Sequence, residues 1–253
     1  MSYPKIDKYS YLETPLHQFD PRAKIISLIV LIFSFAFISE IIIAITAVIF
    51  SILLVIISRI PLSFVTKCLK FPAFFVFTII IVMAFTVEGN IIVDLKYLNV
   101  TNQGVELGAL IFLRALAALM IAFLLLSTSK FDEIIKAMYM LKIPNVMVQV
   151  ISFSYRYIFV LIDELSTLRT AMYARGFKFK LDMYSFSAIG NMIGMLLIKS
   201  YDRGERVYRS MIARGYTGNP NLFVTFSMNR NDYLISTILL IFALIVQIIP
   251  VIS

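Results

Sequence analysis

Two six-residue segments repeat at an offset of 39 residues: Met172-Tyr173-Ala174-Arg175-Gly176-Phe177 and Met211-Ile212-Ala213-Arg214-Gly215-Tyr216. Four positions are identical and the last is aromatic in both. The chemically active feature of each is an arginine, whose planar fork of N–H donors suits a carboxylate held by two parallel hydrogen bonds. Helix termination accounts for part of the pattern: glycine after a periodic helix is the left-handed residue that stops it, and arginine in the last turn complements the helix dipole. Capping alone does not call for Ala-Arg-Gly-aromatic twice. The second reading is a pair of docking tips, Ala174-Arg175-Gly176 and Ala213-Arg214-Gly215, each offering one guanidinium to a carboxylate on a soluble partner. The charge run Asp202, Arg203, Glu205 and Arg206 is ordinarily a solvated face. On a docking helix, Arg203, Glu205 and Arg206 would flank the interface.

Other chemistry is excluded by scarcity. His17 is the single histidine and Cys68 the single cysteine, so multi-histidine metal sites and intramolecular disulfides are ruled out. His17, beside Gln18 and Asp20, lacks a second imidazole or a thiolate and makes a poor transition-metal site. No G-x-x-x-x-G-K-[ST] loop is present to hold a nucleotide, and no spacing places a catalytic cluster. The expectation is a non-enzymatic chain with no catalytic residue, no metal and no bound cofactor. Arg114, inside an apolar run, is expected to pair structurally within the fold, the alternative being an intramembrane functional charge. Gly104-x-x-x-Gly108 and Gly190-x-x-x-Gly194 have the spacing of close helix crossings inside the subunit.

The elements that carry these residues are membrane helices. Of 253 residues 60% are hydrophobic and 15% charged, and mean hydropathy is +0.90, which does not suit a water-soluble chain. The net charge of +8 fits an excess at the cytoplasmic ends of spans better than a nucleic-acid partner. The stretch 25–57 holds one charge, Glu40, and as a single helix would run roughly 50 Å against a ~30 Å hydrocarbon core. It reads as two helices turning at Ser39-Glu40. Further spans are expected at 71–87, 107–127 and 233–253, five in all. About two dozen mostly polar residues precede the first apolar run, and no small-residue cleavage site follows it, which does not read as a cleaved signal.

Orientation follows from the loops. Arg59, Lys67 and Lys70 have no acidic neighbour between spans two and three, whereas Glu88, Asp94 and Glu106 outnumber Lys96 in the next loop, so the amino terminus is expected inside. Residues 130–232 carry 14 basic and 8 acidic side chains and are expected on the cytoplasmic side too. Two apolar stretches within them, 146–162 and 183–198, are nearly long enough to cross, but crossing would place Arg169, Arg175, Lys178 and Lys180 on the far side. Instead two long amphipathic helices are expected. The first runs from about Asn145 to Ala174, with Ile158, Leu161, Leu165, Leu168 and Met172 on one stripe. The second places Ile193, Leu197, Tyr201, Gly204, Tyr208 and Met211 on its stripe, and Lys199, Asp202, Arg206 and Arg209 opposite. The organisation is therefore all-α: a four-span domain over 1–129, a coupling domain over 130–232 with the two Ala-Arg-Gly endings, and a last span over 233–253.

The stretch Pro15-Leu16-His17-Gln18-Phe19-Asp20-Pro21-Arg22-Ala23-Lys24, the Tyr155-Arg156-Tyr157 triplet, both Ala-Arg-Gly endings and Ser200–Tyr208 resemble the transmembrane T component (EcfT/CbiQ family) of energy-coupling factor transporters. The resemblance covers roughly 15–218, and 190–218 is more similar to the cobalt/nickel CbiQ-type branch than to the shared vitamin-module branch. It implies a multi-pass chain in the cell membrane that joins a substrate-binding S component to two ABC-type ATPase subunits, which hold the ATP and Mg. It further implies that the Ala-Arg-Gly helices dock into those ATPases and transmit their closure. The solute would be Co²⁺ or Ni²⁺, with a vitamin module as the alternative. A stand-alone secondary transporter is the lesser reading, since Arg114 is its sole mid-membrane charge.

Overall fold

The computed structural model describes residues 12, 14–87, 90–95, 98–218 and 228–252. Expectations resting on the extreme amino terminus, on Glu88 and Lys96, and on 219–227 lie outside the described residues. The chain divides into two compact units, one comprising the described parts of 5–137 and 225–253, the other the described residues from 138 to 218.

The first unit is a helical bundle. A short turn of helix, α1 (Pro15–Gln18), leads into α2 (Pro21–Ala36), which starts where it does because Asp20 caps it: its carboxylate accepts the Arg22 backbone N–H at 2.9 Å, and Pro21 supplies a pre-set first helical residue. α2 ends at Ala36 and α3 (Ile41–Ile57) starts after Glu40, so the apolar stretch breaks where it was expected to turn. α4 (Leu62–Thr86) begins nine residues before the expected span. Lys67 and Lys70 do not end it, since exposed lysines sit readily on a helix that projects beyond the hydrocarbon, and Pro72 lies inside it. A two-stranded antiparallel hairpin follows, β1 (Ile91–Leu95) with β2 (Leu98–Thr101), a small addition to an otherwise all-α chain. α5 (Asn102–Thr128) is capped by the Thr101 hydroxyl, and α6 (Phe131–Met140) and α9 (Arg230–Ile252) complete the set.

α5 is the central post, packing against α2, α3 and α4, while α9 packs on α2. Leu31, Phe35, Ala117, Ile121 and Leu124 are fully buried. A polar tie and an aromatic stack sit within this core: the Ser34 hydroxyl donates to the Ala243 carbonyl at 2.8 Å, and Phe50 stacks on Phe242 with centroids 3.7 Å apart. A Cβ added at Gly104 would stand 2.5 Å from the Met83 carbonyl oxygen, and one at Gly108 would stand 3.0 Å from Ile80 Cα, so this pair of glycines does set a close α4–α5 crossing. Lys24 is 1% exposed, and its Nζ donates to the Thr128 carbonyl at 3.2 Å and the Ser129 hydroxyl at 3.0 Å, closing the carboxyl end of α5. Phe71 and Phe74, 84% and 71% exposed, belong to an outer surface that water does not favour and lipid does.

Among the described residues, four helices are long and apolar enough to cross a membrane: Leu62–Thr86, Asn102–Thr128, Asn145–Ala174 and Arg230–Ile249, with Ile41–Ile57 a shorter apolar helix. The chain is an all-α, multi-pass membrane protein. The pairing expected for Arg114 is not found among the described residues, where Arg114 has no ion pair and its Nε is buried without a hydrogen-bond partner.

Candidate functional site

The second unit holds α7 (Asn145–Ala174) and α8 (Met183–Ala213). Pro144 starts α7, because proline tolerates the entry but not the interior of a helix. Asp182 starts α8 by accepting the Ser185 N–H at 2.8 Å, and the Ser185 hydroxyl accepts the Lys180 N–H at 3.1 Å. Hydrogen bonding from the Ser185 side chain, and then from its backbone N–H, holds the Asp182 carboxyl below its ordinary value. The helices run antiparallel, since Gln149 near the start of α7 meets Tyr216 and Gly218 past the end of α8, and Glu164 meets Lys199 and Arg203. At ~1.5 Å per residue the two repeated segments therefore lie on the order of 40 Å apart, at opposite ends of the pair.

Both ends are built identically. In the first, the Gly176 N–H donates to the Tyr173 carbonyl at 2.9 Å and the Phe177 N–H to the Met172 carbonyl at 3.2 Å, with φ +79° at Gly176. In the second, Gly215 donates to Ile212 at 2.9 Å and Tyr216 to Met211 at 3.0 Å, with φ +82°. This is the Schellman closure twice over, and it requires glycine at 176 and 215 because other residues resist the left-handed region. The closure explains the glycine of each repeat and pairs its aromatic with its methionine along one cavity wall. It does not explain the arginines. Arg175 and Arg214 are exposed and, among the described residues, neither guanidinium has a hydrogen bond or ion pair.

Between the ends, Glu164 braces the pair, accepting from Lys199 Nζ at 2.5 Å and lying 3.8 Å from Arg203. The Lys199 hydrogen bond, more than its charge, holds the Glu164 carboxyl below its ordinary value. Arg203 is thereby turned inward on the helix pair, Glu205 pairs with Arg209 one turn on, and Arg206 is exposed. Sequence patterning did not reveal Glu164 or Gln149, each of whose partners is far along the chain. A cavity of about 690 Å³ lies beside the first end and one of about 420 Å³ beside the second. The expected apolar stripe of α8 is uncovered: Leu197 is 64% and Tyr201 73% exposed. Gly190 and Gly194 depart from the expected close crossing, since a Cβ at either would meet nothing within 4 Å. Among the described residues no helix is laid against those two positions.

Fold and site together define a multi-pass membrane subunit that carries two identically closed helix ends with unsatisfied cations. A family model described as "CbiQ: Cobalt transport protein" matches residues 13–225, and the chain belongs to this EcfT/CbiQ family of transporter transmembrane components. It is 31% identical to the energy-coupling factor transporter transmembrane protein EcfT of Listeria innocua, over 80% of this chain and 81% of that protein. The EcfT of Bacillus subtilis is 28% identical over 84% of each chain. A putative fused cobalt transport protein, CbiMQ, of Methanocorpusculum labreanum is 27% identical over 54% of this chain and 24% of that protein.

Proposed function

We propose that this chain is the coupling (T) component of an ATP-driven importer, in which Arg175 and Arg214 each grip a carboxylate on one of two ATPase subunits and α7 and α8 pass the closing motion to a membrane-embedded substrate-binding S component. The observation that carries this reading is the duplicated end with a free guanidinium, because helix closure requires the glycine of each repeat and leaves its arginine without a partner. The ATPases supply ATP and Mg; this chain supplies neither a nucleotide loop nor a metal ligand set. The amino terminus and the α7–α8 pair face the cytoplasm in this reading. α7 has the length and apolarity of a span, but inserting it would carry Arg169, Arg175, Lys178 and Lys180 across the membrane against the charge bias.

The cargo in this reading is Co²⁺ or Ni²⁺, supported by the cobalt-transport description of the family. The second reading is a vitamin-transporting module, since the EcfT relatives, whose similarity runs along most of the chain, are not named for cobalt. Uptake of labelled cobalt, nickel and vitamins by cells expressing the chain with its partner subunits separates the two. His17→Ala leaves metal uptake intact if this chain contributes no side chain that binds the metal. Its Nδ1 already lies 2.6 Å from the Thr14 hydroxyl. The coupling reading itself is tested by Arg175→Ala with Arg214→Ala: loss of ATPase pull-down supports it, and a double variant that still binds and transports ends it.

A further inference from the structure

The turn joining α7 to α8 gathers two kinds of surface that gripping an ATPase carboxylate does not use. Lys178 and Lys180 line the first cavity together with Arg175, and no carboxylate pairs with either lysine among the described residues. The one carboxylate on that wall, Asp182, is engaged by the Ser185 N–H, and Lys199 is engaged by Glu164. Behind the cations the wall is apolar, with Leu168, Met172 and Met195. Interleaved with the lysines and just beyond them stand large apolar side chains turned to the outside: Phe179 56%, Leu181 86%, Met183 85%, Tyr184 74% and Phe186 57% exposed.

An acidic groove on a soluble partner would satisfy the lysines and leave these five side chains in water. A bilayer surface satisfies both, because apolar side chains enter the acyl boundary while lysines remain among the phosphates. The cavity at the other end of the helix pair is lined by no lysine. It is lined by Phe153, Tyr157, Leu161 and Tyr208, and its one cation, Arg203, is held by Glu164.

We propose that the α7–α8 turn, from Lys178 to Phe186, is a membrane-contact segment whose lysines bind the phosphate of an anionic phospholipid, the cavity taking the headgroup and Phe179 and Leu181 entering the acyl boundary. This goes beyond the coupling reading: Arg175 borders the same cavity, but the phosphate is assigned to Lys178 and Lys180, so substituting the lysines tests it apart from the arginines.

The chain has no tryptophan, so Phe179→Trp places a single fluorophore at the turn of the otherwise unaltered chain. The full-length protein is reconstituted in vesicles of phosphatidylcholine mixed with phosphatidylglycerol, with bromine on the acyl chains of one lipid at a time. Brominated phosphatidylglycerol is expected to quench about threefold or more above the same fraction of brominated phosphatidylcholine, as two lysines near an anionic headgroup allow. Lys178→Gln with Lys180→Gln, both at exposed positions, brings that ratio to about one while ATPase pull-down is retained. Equal quenching by the two lipids overturns the headgroup site, as does a ratio unmoved by the lysine substitutions. No quenching by either lipid overturns membrane contact, and a blue shift that then appears only on adding ATPase subunits assigns the turn to a protein partner.

Discussion

The two ends of the α7–α8 pair share a backbone and differ in everything around it. Each closes with the same two hydrogen bonds, glycine φ values of +79° and +82°, and a free arginine. Yet the first arginine stands among lysines and exposed aromatics at a turn that leads straight into α8. The second is followed by Tyr216, whose hydroxyl donates to the Gln149 side chain, while the Gln149 amide donates to the Gly218 carbonyl at 2.6 Å, tying that end back onto α7. A repeated motif therefore fixes one local geometry, and its neighbours decide what each copy meets. The first end adds two lysines and exposed apolar side chains to its arginine; the second is tethered back onto α7.

The largest expected effect tests the shared part. If both arginines pair with desolvated carboxylates, each truncation costs about 2–5 kcal/mol, and the double variant loses ATPase association altogether. Single variants keep the complex through the other end but lose most uptake, because the ATPases then cycle without moving both helices. Co-purification and metal uptake read the two effects apart. If the arginines serve their helix ends alone, each costs only ~0.3–1 kcal/mol and uptake stays near normal. Unequal losses at 175 and 214 would show that the neighbours, and not the repeat, carry the docking.

The glycines come next. Nothing lies within 4 Å of a Cβ at Gly176 or Gly215, so alanine there meets backbone strain without a clash. Left-handed alanine costs roughly 1–2 kcal/mol, which predicts about a five- to thirtyfold rise in amide exchange over the last turn at both ends. Equal rises confirm that the ends are one structure made twice. A smaller rise at 215 would show that the Gln149–Tyr216 tether compensates.

What the sequence could and could not reveal follows the same division between local and distant signals. The bounds of α7 and the end of α8 were legible because Pro144, Gly176 and Gly215 act on their immediate neighbours. The start of α4 was not, since lysines at 67 and 70 read as a loop although a helix carries them past the hydrocarbon. Gly104/Gly108 and Gly190/Gly194 have the same spacing and opposite outcomes: one pair touches α4 and the other faces open space. Spacing permits a crossing; it does not supply the second helix. Glu164 and Gln149 were invisible for a related reason, since their partners lie 35 and 67 residues away and no periodicity marks them.

Glu164 sits between the ends and so should affect both alike. Its two ion pairs are partly exposed and screened by water, so Glu164→Gln should raise exchange only modestly where the helices meet. The measurement is hydrogen exchange over 160–168 and 196–204, with ATPase pull-down unchanged. Loosening confined to one end would mean that the brace belongs to that end alone.

The smallest effect is confined to the first end by chemistry. Asp182 caps α8 there, and the Ser185 hydrogen bonds depress its carboxyl below the ordinary 3.8. A group whose folded value is depressed adds stability that is fully present above its unfolded value and lost as pH falls through the folded one. Between about pH 6 and pH 3 the first turn of α8 should therefore open slightly more often, seen as faster amide exchange at 183–186 after correction for the intrinsic pH dependence. The second end has no capping carboxylate in its closure, so exchange at 211–215 should change less over the same window. Asp182→Asn keeps an oxygen that can accept from Ser185 but removes the titration, and it should flatten the response at 183–186. If both ends loosen together in acid, the carboxylate responsible is Glu164, whose value is also depressed and whose protonation would release the brace they share.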